Sequence, residues 1–293
     1  MIIVTGATGL LGRRIVENLL TRVPADQVGV SVRDVRKARD LADRGVRVRQ
    51  GDFTDPDSLA TAFEGATQVL IVSVDKLGAE AMRQHRAAID GAVAAGAHRI
   101  LYTSHTGAAP ASRFEACRDH AADEQMLRTC GVPFTALRNG FYAASAMRFF
   151  GQAAETGRLV LPADGVVSWT AHADLAAATA AILADEGRFD GPTPPLTAAR
   201  AIDFAEIAEI AGAITGRTIQ RVTVSDEEFR QQMVSYGVPA EQADMMVDIF
   251  AAGRSGEFAT VDPTLATLIG REPIGFDTVL REALSANRPG SDR

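Results

Sequence analysis

One short stretch constrains this chain more than any other: the β-branched run Ile2-Ile3-Val4-Thr5 breaks into Gly6-Ala7-Thr8-Gly9-Leu10-Leu11-Gly12 and then into a helical pattern. A buried strand that becomes a helix across three glycines is the opening of a βαβ unit built for a dinucleotide. Each glycine has its own reason. Gly6 permits the tight strand-to-helix turn, Gly9 leaves room for a phosphate to approach the backbone, and Gly12 lets the helix pack on the sheet. The unpaired N–H groups of the helix start then face the anion. Thr8, Leu10 and Leu11 share the turn and join the three glycines as contacts to a pyrophosphate. The spacing is GxxGxxG rather than GxGxxG.

The following residues keep the rhythm that such an opening requires. Strand patterns run over Ile2 to Thr5, Val28 to Val32, Val46 to Gln50, Val69 to Val72, Ile100 to Thr103 and Phe134 to Leu137. Helical patterns fall between them, near Leu10 to Leu20, Val35 to Ala42, Pro56 to Phe63, Ala79 to Ala95 and Phe114 to Thr129. Asp55-Pro56 opens one helix, and Gly45, Gly65, Gly96 and Gly131 follow the ends of four. The fold class is therefore α/β, a Rossmann-type doubly wound parallel sheet, and 293 residues leave room for a smaller, mostly helical C-terminal lobe.

After about residue 140 the alternation stops and helices are no longer matched to strands. The expected division is a dinucleotide-binding domain over 1–140 with a returning segment near 168–190, a smaller substrate lobe over 141–167 and 191–287, and a flexible tail over 288–293. Ser225-Asp226-Glu227-Glu228 is a capping box that starts a helix at Asp226, and Asp174 reads as the N-cap of the returning helix. No run of about 18 apolar residues is present, and Met1 to Val4 lacks the basic flank of a signal peptide, so a cytoplasmic protein without membrane insertion is expected. A formal net charge of −7 argues against nucleic-acid binding. Cys117 and Cys130 are too few for a disulfide framework, and no His, Cys or carboxylate spacing suggests a metal.

The second strand bears on cofactor choice. An acid there would hold a ribose 2′-hydroxyl and favour NAD; here Ser31-Val32-Arg33-Asp34 places Arg33 foremost, with Arg36, Lys37 and Arg13 near it. A guanidinium matches a 2′-phosphate, which favours NADPH, with NADH left open by Asp34. Asp52 and Phe53, after the third strand, either flank the adenine or, for Phe53, belong to the core. Ser73, Val74 and Asp75 lie at the carboxyl edge where a nicotinamide would run, and Ser104, ending the fifth strand, either joins them as a cofactor contact that polarises an oxygen or caps a helix or turn.

Together these residues resemble the NmrA-like atypical short-chain dehydrogenase/reductases, most closely the NAD(P)H:quinone oxidoreductase type 2 subgroup. The carriers are residues 1–9, Val32-Arg33-Asp34, Val48-Arg49-Gln50-Gly51-Asp52, Gln84-His85-Arg86, Tyr102-Thr103-Ser104, Leu137-Arg138-Asn139-Gly140-Phe141-Tyr142 and Leu268-Ile269-Gly270-Arg271. The resemblance implies a cleft between two lobes, with Arg33 on the 2′-phosphate and Ser73, Val74, Asn139, Gly140, Phe141 and Tyr142 around the nicotinamide. Classical members pair a proton-donating Tyr with a Lys four residues on; those positions fall on Ala116 and His120.

A quinone or similar flat conjugated ring needs no strong acid after hydride transfer, so the leading expectation is an NADPH-dependent quinone-type reductase. His120 is either its proton donor or a solvent-facing helix histidine, and Tyr142 is either a donor or a ring lining the cleft. Trp169 offers the cleft an aromatic wall. His85 reads as a packed structural residue, and His98 and His105 as loop residues without a partner. Two further expectations stay open: an NADP(H)-sensing regulatory protein, and a tailoring reductase or isomerase of an aromatic metabolite.

Overall fold

A computed structural model describes residues 1–151 and 153–286; the tail expected to be flexible, 288–293, lies outside them. In chain order the elements are β1 (Ile2–Thr5), α1 (Leu10–Leu19), β2 (Val28–Val32), α2 (Arg39–Ala42), β3 (Arg47–Gln50), α3 (Pro56–Phe63), β4 (Gln68–Ile71), α4 (Gly78–Ala94), β5 (Arg99–His105), α5 (Glu115–Thr129), β6 (Phe134–Asn139), α6 (Ala143–Phe150), α7 (Ala153–Thr156), β7 (Arg158–Pro162), α8 (His172–Ala184), β8 (Gly191–Pro192), α9 (Phe204–Thr215), β9 (Gln220–Val224), α10 (Asp226–Ser235), α11 (Ala240–Arg254), α12 (Thr264–Ile269) and α13 (Phe276–Ala286).

β1 is apolar on both faces because helices cover both sides of it. It pairs in parallel with β2 and β4, Ile2 lying opposite Val28 and Gln68. The sheet order is β3-β2-β1-β4-β5-β6-β8, so the winding reverses between β1 and β4 and opens a crevice at their carboxyl ends. Alternation along the strands sorts the side chains into two cores. Val4, Leu70, Leu101 and Leu137 pack with Ile15, Val16 and Leu19 of α1 and with Leu175, Ile182 and Leu183 of α8. Ile3, Val69, Ile71, Ile100 and Tyr102 face Leu59 and Phe63 of α3, Ile89 of α4 and Leu127 of α5. A third core, rich in aromatic rings, gathers Phe141, Trp169, Phe204, Phe229, Phe250, Phe258 and Phe276.

Several expectations change. The stretch after 140 holds strands as well as helices: β7 and β9 pair in parallel, Leu159 against Arg221, and β8 adds a seventh strand to the main sheet. The pattern over Val35 to Ala42 divides into a 3₁₀ turn, Val35–Ala38, and the short α2. Asp174 is not an N-cap. α8 starts at His172 after Ala171, and Asp174 sits inside its first turn, fully buried, accepting from Arg271 Nη2 at 2.5 Å and from the Ile274 amide at 2.6 Å. That contact ties the link between α12 and α13 to the start of α8. The capping box at Ser225 and Glu228 is formed.

Candidate functional site

The glycine turn closes on itself. Gly6 has φ +62°, in the left-handed region, and its carbonyl accepts from Gly9 N at 2.9 Å. Gly9 caps α1 without a side chain, and the first turn contains no acid, so the amides of Leu10, Leu11 and Gly12 present the positive end of the helix undiluted. A Cβ on Gly12 would collide with the Gly6 carbonyl. Thr8, Gly9 and Leu10 are exposed, Leu10 at 58%, whereas Leu11 turns into the core. The residues fit a pyrophosphate: a bare backbone cradle on a helix start, beside an exposed apolar side chain.

The end of β2 settles a competition between charges. Asp34 accepts from the Arg36 amide at 3.0 Å and pairs with its guanidinium at 2.9 and 3.0 Å, which holds the carboxyl below its usual range. Arg13 is held by Asp40 and Glu17. Arg33 is exposed and, among the described residues, makes no hydrogen bond or ion pair. The acid is therefore spent on its own turn while the guanidinium beside it stays free. Asp52 is likewise occupied, its Oδ1 accepting from the Thr54 amide at 2.9 Å and hydroxyl at 2.8 Å. Phe53 is half-buried against the core of α3 and α4.

The loop after β4 is pinned amide by amide. Val72 N donates to Thr5 Oγ1 at 2.9 Å, Ser73 N to Thr103 Oγ1 at 2.8 Å, Val74 N to His85 Nε2 at 3.0 Å and Gly78 N to Asp119 Oδ2 at 2.7 Å. Asp75 is exposed at its tip. Side chains from four elements, β1, β5, α4 and α5, thus fix the backbone where Ser73 and Val74 border the crevice.

Behind that loop two histidines, His105 and His120, are not where the sequence put them. His105 is no loop residue: it ends β5, its Nδ1 accepts from Gly107 N at 2.9 Å, and its ring stacks on His120 with centroids 6.2 Å apart. Burial pushes it down to about 4. His120 is partly buried rather than solvent-facing, with Nδ1 2.8 Å from the Tyr102 hydroxyl. Burial, reinforced by His105, brings it to about 3. His85 is packed, as read, and holds Asp123 Oδ2 at 2.8 Å. Tyr102 and Asp123, both fully buried, were missed. Their signal was acidic residues at Asp119, Asp123 and Glu124 on the face of α5 that meets the sheet.

Two more expectations are corrected. Ser104 is buried and gives its hydroxyl hydrogen to Glu124 at 2.8 Å, a carboxylate also held by Arg138 at 2.8 and 3.0 Å, so that hydrogen is committed within the protein rather than aimed at the crevice. Trp169 is 2% exposed inside the aromatic core, 5.3 Å from Phe141 and 5.6 Å from Phe204, and walls that core rather than an open cleft. Asn139 ends β6, buried beside the Tyr142 hydroxyl. Gly140 has Thr170 where a Cβ would stand, and Phe141 is buried against His105 at 5.3 Å. Tyr142 is half-buried, 4.3 Å from the His172 ring, and burial raises its pKa. His172 is lowered to about 4, and Cys117 raised to about 12, both chiefly by burial. At neutral pH the edge therefore carries neutral imidazoles and phenols, none of them a ready acid.

Among the described residues no cluster of His, Cys, Asp and Glu could hold a metal, and no helix is long and apolar enough to cross a membrane. Comparison with known proteins matches the NmrA-like family over residues 1–271. Quinone oxidoreductase 2 of Escherichia coli (strain K12) is 33% identical over 288 residues, covering 97% of this chain and 98% of that protein. A crystal structure of the E. coli NADPH-dependent quinone oxidoreductase complexed with NADPH superposes with a TM-score of 0.91 at 32% identity, over 97% of this chain and 100% of that one. The Citrobacter sp. triphenylmethane reductase complexed with NADP(H) gives 0.88 at 33% identity, over 97% and 100%.

Proposed function

This chain belongs to the NmrA-like family, and from that premise we propose that it is an NADPH-dependent reductase acting on a quinone or another flat conjugated acceptor. The observation that carries the reading is the pairing of a complete dinucleotide turn with an edge that holds no ready acid. When bound, NADPH supplies a hydride at its nicotinamide ring. The amides at the start of α1 hold the pyrophosphate and Arg33 holds the 2′-phosphate. The pinned loop at Ser73 and Val74, with Asn139 to Tyr142, borders the nicotinamide and orients its reacting face. The acceptor lies against this edge, between the sheet and the aromatic core around Phe141.

Hydride addition to a quinone leaves a hydroquinone anion whose charge is spread over the ring, so a weak donor such as a neutral imidazole suffices to protonate it. An isolated ketone would leave an alkoxide that demands an acid this edge does not offer. His120 and Tyr142 are the two side chains positioned to donate. The cytoplasm is the proposed setting, consistent with two free thiols.

The test is NADPH consumption by purified protein across benzoquinones, naphthoquinones, conjugated enones and a cationic triphenylmethane dye. Turnover with at least one of these classes is expected. Tight NADP(H) binding with no consumption by any of them would replace the reductase reading with a sensing role.

A further inference from the structure

Four side chains from three elements form an unbroken hydrogen-bonded run behind the site. Val74 N–H donates to His85 Nε2, so the ring hydrogen of His85 sits on Nδ1 and points to Asp123 Oδ2, 2.8 Å away. The Tyr102 hydroxyl is 2.6 Å from the same Oδ2 and 2.8 Å from Nδ1 of His120. Asp123 Oδ1 is buried without a partner among the described residues, and His120 Nε2 has no protein partner there and is not sealed off.

One hydroxyl hydrogen cannot serve both of Tyr102's neighbours. With Asp123 ionised, Tyr102 donates to Oδ2 and accepts Nδ1–H from His120, whose Nε2 then shows a lone pair. With one proton added at Asp123 the order reverses: Asp123 donates to Tyr102, Tyr102 donates to Nδ1, and Nε2 carries the hydrogen. The imidazole is neutral in both arrangements.

We propose that Tyr102 and Asp123 form a proton relay acting through His120, so that the reduced acceptor takes its proton from His120 Nε2 while the charge change is absorbed by the buried carboxylate. The proposal rests on the reading that His120 borders the acceptor. In the step, the Nε2–H, Tyr102 O–H and Asp123 O–H bonds break. An O–H bond on the acceptor, the Nδ1–H bond and a new Tyr102 O–H bond form, and Asp123 is left ionised. Water at Nε2 then gives up a proton, leaving hydroxide to the solvent, and the run reloads in reverse. Tyr102 and Asp123 are positioning residues; His120 alone touches the acceptor.

The surroundings favour relay over simple protonation of the ring. His120 faces His105 in a near-parallel stack and feels His85, and burial already brings it to about 3. Asp119 and Tyr142 lie near Tyr102, whose phenol is held well above its ordinary value by burial and Asp123, so no tyrosinate is formed. Asp119 is itself occupied by the Gly78 amide.

Tyr102→Phe keeps the ring and removes the link. Quinone turnover should fall on the order of 10²-fold, the loss of one positioned proton donor, and its solvent deuterium isotope effect should disappear. A cationic triphenylmethane dye becomes neutral on taking a hydride and needs no proton, so its penalty should be at least about tenfold smaller. Equal losses with both acceptors, or an unchanged quinone rate, overturn the relay. Ring ¹⁵N shifts of His120 in the free protein give a readout apart from turnover: a neutral ring is expected, with a tautomer ratio that Tyr102→Phe alters. A cationic ring near neutrality, or a ratio the substitution leaves unchanged, also overturns it. If the wild type reduces no quinone, the acceptor reading fails while the nitrogen shifts still decide the relay.

Discussion

Arg33→Ala separates cofactor recognition from folding more cleanly than any other change in the chain. The side chain is exposed, and among the described residues it makes no hydrogen bond or ion pair; it acts on Asp52 only through space, favouring the carboxylate. Removing it should therefore leave stability within about 0.5 kcal/mol. What disappears is a charge-assisted contact to the 2′-phosphate, worth about 1.5 to 3 kcal/mol, or a rise of about 10- to 150-fold in the NADPH Kd. Arg36 and Arg13 cannot stand in without abandoning Asp34, Asp40 and Glu17. NADH lacks the phosphate, so its Kd should stay within about twofold. Fluorescence titration with both cofactors measures this, and the NADPH penalty should shrink as salt screens the exposed contact. Equal weakening of both cofactors, or an NADPH Kd that rises less than about threefold, would refute Arg33 as the phosphate reader.

Gly12→Ala should cost about 1 to 3 kcal/mol of stability by urea unfolding and also weaken NADPH and NADH alike, because the new Cβ meets the backbone of Gly6 that shapes the phosphate turn; a neutral effect on both would mean the turn is not load-limited by that approach. The histidines predict a pH profile: His105, His120 and His172 stand at about 4, about 3 and about 4 when folded, against about 6.5 unfolded. The unfolded chain takes up their protons first, so stability is whole above about pH 6.5 and drains as the pH falls toward about 4, at up to about 1.4 kcal/mol per pH unit for each ring. A flat urea midpoint between pH 7 and about pH 5 would contradict that burial.

Six of the seven strands of the main parallel sheet were legible to within a residue or two because most are largely apolar runs bounded by turn signals; the two-residue β8 was not. β7 and β9 were not. Arg158-Leu159-Val160-Leu161-Pro162 ends in a proline, Gln220-Arg221-Val222-Thr223-Val224 is half polar, and each finds its partner about sixty residues away. Asp174 shows how tertiary contacts override a local signal. As a capping residue it would begin a helix, but Arg271 and the Ile274 amide, about a hundred residues further on, hold it within the first turn of α8 instead. The glycine turn, and the place of Arg33 just past the end of β2, were readable since both depend on local sequence alone. The network of His85, Tyr102, His120 and Asp123 was not, because its members come from α4, β5 and α5 and meet only when the sheet forms.

That difference bears on which acceptors can be reduced. Loss of the Tyr and Lys pair, visible as Ala116 and His120, removes the usual acid, and the structure puts a neutral, partly buried imidazole in its place. The barrier after hydride transfer then depends on the basicity of the anion formed. A quinone or an enone spreads that charge over conjugated atoms, whereas an aliphatic ketone concentrates it on one oxygen. Turnover of a simple ketone should accordingly be slower than that of a quinone by at least about 10²-fold at matched NADPH, since general acid catalysis contributes that much when present. Within a series of quinones the rate should rise as electron-withdrawing substituents stabilise the hydroquinone anion. An aliphatic ketone reduced as fast as a benzoquinone would show that a competent acid does reach the edge, and would undo the link between the missing pair and the choice of acceptor.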